Sequence, residues 1–237
     1  MINRWRAALS VNAGLSLKTE DLCIWVDAIH KDKVPDFSTL SEEHQRWIFS
    51  SPDFADPDVI CFTHCHDDHY SEELCDKAAA IYPDACVIAP EAHHKGQILL
   101  HGSEMMIKVK NRLLTFRRLI HEGEQFADVP NYGLMIEDDG ERILVIGDCA
   151  LQGSGLEEWI RNCDIDTVFA PFPWVSLKQG REFLTKTLKP SCLIIYHLPL
   201  PEDDKYGYVK AAKKAAMQLE GIDDVRLMTD AFQVEEL

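Results

Sequence analysis

Short runs rich in Val, Ile, Leu and Phe recur along this chain, at 14–17, 22–26, 58–63, 85–89, 105–109, 113–120, 132–136, 142–146, 166–170, 192–196 and 225–228. Several lack the apolar–polar alternation of a half-exposed strand, so both of their faces need cover, and helices are the usual cover. Helical stretches lie between them. Thr39-Leu40-Ser41-Glu42 reads as a capping box for a helix over 41–49, and Ser154-Gly155-Leu156-Glu157 as another for 156–161. Ser71 can cap a helix over 72–82 that stops at Pro83, and further helices are expected at 182–188 and at 208–219, before Gly221. Asp138-Asp139-Gly140 between two apolar runs predicts a hairpin. Strands come first, then strands alternating with helices, and the order roughly recurs in the second half. The expected fold class is α+β: a two-sheet sandwich with helices on its outer faces, as a single domain over 1–237.

Composition narrows the function. At 237 residues, 46% hydrophobic and 27% charged, the chain is ordinary for a globular protein and excludes collagen, coiled coil and disulfide scaffold. Lys+Arg 24 against Asp+Glu 40 leaves a formal charge of −16. Such a surface repels a phosphate backbone, so no nucleic-acid partner is expected. No apolar run reaches 18 residues, so no membrane span is expected. The opening Met1-Ile2-Asn3-Arg4-Trp5-Arg6 is basic, but Ser10, Asn12 and Gly14 break its apolar continuation too early for a secretory leader. The 8 Cys contain no Cys-x-x-Cys pair. Reduced thiols in a cytoplasm are therefore expected.

The chemistry concentrates in Thr63-His64-Cys65-His66-Asp67-Asp68-His69-Tyr70-Ser71. A buried strand ends, and six residues supply three imidazoles and two carboxylates before a helix begins. In an extended stretch His64 and His66 point the same way and can grip one cation, while Asp68 and His69 follow along the turn and can reach a second. Helix capping accounts for Ser71 and one Asp, not for three of the chain's 10 His. Alternation turns Cys65 away from its neighbours, which favours packing over ligation.

His64-x-His66-x-Asp68-His69 after an apolar strand and a Thr resembles the signature of the metallo-β-lactamase-fold hydrolase superfamily. The resemblance implies a four-layer αβ/βα sandwich of two similar halves, two mixed sheets face to face, over essentially the whole chain. It also implies three later ligands at strand ends. His121 follows 116–120, Asp148 follows 142–146 in a Gly-Asp turn, and His197 closes 192–196. The implied sets are His64, His66 and His121 for one cation, and Asp68, His69 and His197 for a second, with Asp148 bridging. Glu122-Gly123-Glu124 departs from the Pro-Gly-His-Thr setting of lactamase-like and glyoxalase-II-like members. His66 stands where flavodiiron-type members carry Glu. The ending Ile194-Ile195-Tyr196-His197-Leu198-Pro199 is similar to the branch that includes L-ascorbate-6-phosphate lactonase.

The implied activity is hydrolysis by a metal-bridging hydroxide, oriented by Asp68, with two divalent cations, zinc first and manganese or iron as alternatives. Cations at about +4, two ligating carboxylates and a hydroxide leave about +1, which favours a small anionic ester, lactone or phosphodiester. Trp174 and Tyr70 are the candidates for touching substrate. His30, His44, His93, His94 and His101 are expected at the surface. A non-catalytic metal-binding or sensing module, a metal-dependent nuclease and a homo-oligomer are the open alternatives.

Overall fold

Among the described residues the apolar runs, with three further short strands, form two seven-stranded mixed sheets. The coordinates are a computed structural model describing residues 5–237, so the basic residue Arg4 and the three before it lie outside the described residues. Two units are formed. One holds the chain up to Leu100 together with Leu198–Tyr206 and Thr229–Leu237; the other holds His101–His197 and Gly207–Met228.

The sheet of the first unit contains β1 (Arg6–Leu9), β2 (Leu15–Lys18), β3 (Cys23–Val26), β4 (Val59–Cys61), β5 (Cys86–Ala89), β6 (Ile98–Leu99) and β14 (Val234–Glu236). Its spatial order is β14-β1-β2-β3-β4-β5-β6, antiparallel as far as β3 and parallel beyond it. The sheet of the second unit contains β7 (Glu104–Val109), β8 (Arg112–Leu119), β9 (Asn131–Asp138), β10 (Glu141–Val145), β11 (Thr167–Pro171), β12 (Cys192–Tyr196) and β13 (Asp224–Leu227). There β7 to β10 form an antiparallel meander and β10 to β13 run parallel. Three antiparallel pairings followed by three parallel ones is thus the plan of both sheets.

This plan decides where chemistry can sit. β8 and β10 are each antiparallel to β9, and β11 and β12 are parallel to β10, so all four strands end at one edge of their sheet. β3 and β4 likewise end together, with the Asp27 N–H donating to the Cys61 carbonyl at 3.0 Å. Loops after parallel strands therefore converge, the usual place for a site in such sheets.

The local chemistry explains the connections. The β9–β10 turn places Asp139 (φ 48°) and Gly140 (φ 95°) in the left-handed region, as a tight hairpin requires. Helix α1 (Glu42–Ile48) is capped by Ser41, whose Oγ accepts from the His44 N–H at 3.1 Å. The expected box beginning at Thr39 is therefore displaced by two residues. Helix α2 (Glu72–Ile81) starts at Ser71 as expected, with the Leu74 N–H donating to its Oγ at 3.4 Å. Helix α3 (Leu156–Ile160) follows Gly155 at φ 91°, a conformation that takes the capping position away from Ser154. Helix α4 (Phe172–Ser176) was not expected; Pro173 in its first turn suits a helix start. Helix α5 (Lys178–Phe183) continues into a wide turn to Leu188, so the expected segment 182–188 is the tail of a longer element. Helix α6 (Tyr208–Ala216) is shorter than its apolar pattern.

The core of the first unit is built around Trp25, 0% exposed, with Phe49, Phe54 and Tyr82 edge-on at 6.0, 5.7 and 5.6 Å. His30 corrects an expectation: it is wholly buried, with Nε2 3.5 Å from Asn12 Nδ2. Asn12 in turn exchanges two hydrogen bonds with the Ser38 backbone at 2.6 and 3.0 Å. His44 is half-buried, its ring 5.2 Å from Phe232. His94 lies 2.7 Å from Asp76, and His93 and His101 are exposed. No helix among the described residues is long and apolar enough to cross a membrane.

Candidate metal centre

Strand β4 is fully buried, and the chain leaves it at Phe62-Thr63 into the histidine loop. A residue unremarked in the sequence, Asp27 at the end of β3, organises that loop. Its side chain is 0% exposed. The Thr63 N–H donates to Asp27 Oδ1 and the Thr63 hydroxyl to Oδ2, both at 2.7 Å. His69 Nδ1 lies 3.0 Å from Oδ2. Asp27 takes φ 51°, a left-handed conformation that Asp tolerates better than most residues and that turns its carboxylate toward the loop.

These partners determine the imidazole tautomers. An ionised carboxylate only accepts, so His69 carries its proton on Nδ1 and keeps a lone pair on Nε2. The Thr63 hydroxyl proton is committed to Asp27, so at 3.0 Å its oxygen accepts from His64 Nδ1–H. His64 therefore also keeps its Nε2 lone pair. The rings of His64 and His66 lie 4.6 Å apart, and those of His64 and His69 3.9 Å. His64 and His69 are 0% exposed, and His66 and Cys65 are partly exposed. Burial pushes the Cys65 thiol up to about 12, with the Glu91 charge adding to it, so it is a protonated thiol near neutral pH.

In the second unit, β8 is followed by Ile120-His121 and β10 by Ile146-Gly147-Asp148. The two ends are joined by a short antiparallel bridge, His121 opposite Cys149, with the Glu122 N–H donating to the Asp148 carbonyl and the Ala150 N–H to the Ile120 carbonyl, both at 2.8 Å. His121 Nδ1 lies 2.7 Å from the Glu122 carbonyl, which can only accept, so the lone pair of His121 is again on Nε2. His197 follows β12 at φ 55°, and its Nδ1 lies 3.4 Å from Asp148 Oδ1.

The side chains that could hold a metal ion fall into three sets: His64, His66 and His121; His64, His69 and Asp148; and Asp68, His69 and His197. The seven residues that the resemblance names as candidate ligands all occur among these sets. The donor chemistry fits divalent cations. The Nδ1 atoms of His64, His69 and His121 are held by Thr63, Asp27 and a backbone carbonyl, which leaves Nε2 as the nitrogen that would face an ion.

The two residues expected at substrate are packed. Trp174 is 1% exposed, its indole N–H donates to the Cys149 carbonyl at 3.3 Å, and its ring meets Phe183. It thus braces the backbone next to Asp148, although it also lines a 710 Å³ cleft in the second unit. Tyr70 is 7% exposed, edge-on to Phe62 at 4.8 Å, and burial holds its phenol well above the usual range. Cys149 is buried beside Asp148, and burial raises its thiol strongly.

No family model and no curated protein matches this sequence. Solved structures match it over nearly its full length. Igni18, a metallo hydrolase from Ignicoccus hospitalis, has a TM-score of 0.67 at 15% identity over 99% of this chain and 98% of its own. YhfI from Bacillus subtilis, a metallo-β-lactamase fold protein, has a TM-score of 0.63 at 12% identity over 99% and 100%. CmlA from Streptomyces venezuelae, a diiron β-hydroxylase, has a TM-score of 0.69 at 12% identity and covers all of this chain with 55% of its own. The chain has the metallo-β-lactamase fold. Within that fold it carries sets of His and Asp side chains able to hold metal ions.

Proposed function

We propose that the protein is a metal-dependent hydrolase that holds two divalent cations and cleaves a small ester, lactone or phosphodiester. The observation that carries this reading is the three sets of His and Asp side chains able to hold a metal ion, in which His64, His69 and His121 each have one ring nitrogen held by a fixed partner. His64, His66 and His121 would hold one ion, Asp68, His69 and His197 the other, and Asp148 would serve both. When bound, such a pair supplies Lewis acidity, lowering the pKa of water toward neutrality and polarising the bond under attack.

The chain's own residues do the rest. Asp27 holds His69 in the ligating tautomer and the loop against β3. Asp68, whose Oδ2 is 3.9 Å from His69 Nε2, has a second carboxylate oxygen to orient the attacking water and accept its proton. Zinc suits this His-rich set, and manganese or iron suits it nearly as well. The resemblance at Ile194–Pro199 keeps lactones in the substrate panel, and eight free thiols suit a reducing compartment.

The buried carboxylate of Asp27 changes the charge sum. Adding its −1 to the surplus of about +1 brings the centre near zero, which removes the argument for an anionic substrate.

Metal-free protein titrated with Zn²⁺ or Mn²⁺ should take up two ions per chain and gain hydrolysis on a panel of esters, lactones and phosphodiesters. Uptake of less than one ion per chain would refute the reading. Two ions with no turnover across the panel would favour a metal-binding module instead.

A further inference from the structure

The second unit contains a cleft of 480 Å³ that begins at His121. Its lining supplies two carboxylates, Glu122 and Glu124, two carboxamides, Gln152 and Gln179, and the apolar side chains Ile120 and Leu177. Among the described residues that line it there is no Lys or Arg. Ile120 and Leu177 are 48% and 50% exposed, so this is open apolar surface rather than packed core. Phe126, outside that lining, holds its ring 5.4 Å from the His121 imidazole and is itself exposed. Glu122 is held in place, since its Oε2 accepts from the Leu151 N–H at 3.1 Å. The charge sits on a bridged, hydrogen-bonded turn rather than on a free side chain.

We infer that this cleft receives the part of the substrate flanking the scissile bond, and that it selects a neutral or cationic group on an apolar stem over an anionic one. The inference rests on the hydrolase reading for the presence of a scissile bond at His121. The cleft's own chemistry is independent of that reading. An anionic group would approach two carboxylates with no cation among the lining side chains to offset them. A quaternary or primary ammonium would be attracted by both, while its alkyl stem covers Ile120 and Leu177. The carboxamides can hydrogen-bond a neutral polar group of either sense. Exposed charge pairs change affinity by up to about five-fold each, so two carboxylates should separate cation from anion by about tenfold or more.

Three probes with one stem test this: 4-phenylbutyltrimethylammonium, 5-phenylpentanamide and 5-phenylpentanoate. Each is titrated into zinc-loaded ¹⁵N-labelled protein, following the side-chain amides of Gln152 and Gln179 and the backbone amide of Leu151. The cation should bind about tenfold or more tightly than the anion, with the amide between them. Glu124→Gln should reduce the ratio by about five-fold, and Glu122→Gln with Glu124→Gln should bring it within about twofold. Gln at 122 retains the acceptor for the Leu151 N–H, so the turn is preserved. Equal or tighter binding of the anion at these amides, no binding of any probe there, or a ratio indifferent to both substitutions overturns the inference. The 4-nitrophenyl esters of 5-(trimethylammonio)pentanoate and of adipate supply the second readout. The cationic ester should have the higher kcat/KM. If neither ester turns over while the probe order holds, the hydrolase reading falls and the cleft's selectivity stands.

Discussion

Asp27→Asn should separate metal affinity from fold stability. The carboxylate accepts from three donors, the Thr63 N–H and hydroxyl at 2.7 Å and His69 Nδ1 at 3.0 Å. The Thr63 N–H uses Oδ1, whereas the Thr63 hydroxyl and His69 Nδ1 both use Oδ2. A carboxamide has the same shape but only one accepting oxygen. The flip that sets its NH₂ against the Thr63 N–H opposes two donors, so the NH₂ takes the Oδ2 place and faces both the hydroxyl and His69 Nδ1. The hydroxyl then turns toward His64 and His69 moves its proton to Nε2, so both rings are pushed from the tautomer that keeps its lone pair on Nε2. Replacing such an outer partner typically lowers metal affinity by about 10–100-fold, or about 1.4–2.7 kcal/mol. Metal-free stability should move less. Two charge-assisted hydrogen bonds, worth about 1.5–3 kcal/mol each, are weakened, but a buried ion, which itself costs several kcal/mol, is removed. Zinc affinity is measured by competition with a chelator, stability by urea unfolding of the metal-free protein, and the tautomer by long-range ¹H–¹⁵N correlation of His69. A zinc Kd within threefold of the parent, with His69 still protonated on Nδ1, would refute the reasoning.

Asp148→Ala and His69→Ala should each lower turnover at least about a hundredfold while far-UV circular dichroism stays unchanged; activity surviving both would contradict the ligand assignment. Gly180→Ala should strain the packing of α5 on α4, because the new Cβ would meet the Trp174 carbonyl, with the Trp174 C and Cα at 2.8 Å. Backbone cannot rotate aside, so the cost should be about 3 kcal/mol, or a Tm loss of about 6–12 °C; a loss under 2 °C by calorimetry would show that α5 shifts freely. Burial, with the Asp76 charge adding to it, pushes the Cys75 thiol up to about 12. A folded pKa raised above the unfolded value leaves stability intact below about 9 and removes it as pH rises toward 12, by at most about 1.4 kcal/mol per pH unit. Cys75→Ala should therefore flatten the fall in urea midpoint between pH 9 and 11, and an unchanged slope would place the alkaline loss elsewhere.

Local pattern was enough for β12, expected and found at Cys192–Tyr196, for the β9–β10 turn and for the cap at Ser71. These depend on a few adjacent side chains, whose preferences survive folding. The histidine loop was legible for the same reason, since its ligand types lie next to one another. β1, β6 and β14 were not, because strands of four, two and three residues are defined by their neighbours rather than by their own composition. Nor was the burial of His30, which depends on Asn12 and the Ser38 loop. Asp27 is the sharpest case. In the chain it is one acid among 40 acidic residues, and its partners lie 36 and 42 positions away. The amino-acid sequence by itself determined that His64, His66, Asp68 and His69 stand together as candidate ligands, since residue type and adjacency are properties of the chain, whereas His121, Asp148 and His197 were named only by the resemblance. Tertiary structure alone decided the nitrogen each ring presents and the local charge, because a proton's position and a carboxylate's influence depend on distances that chain order does not contain.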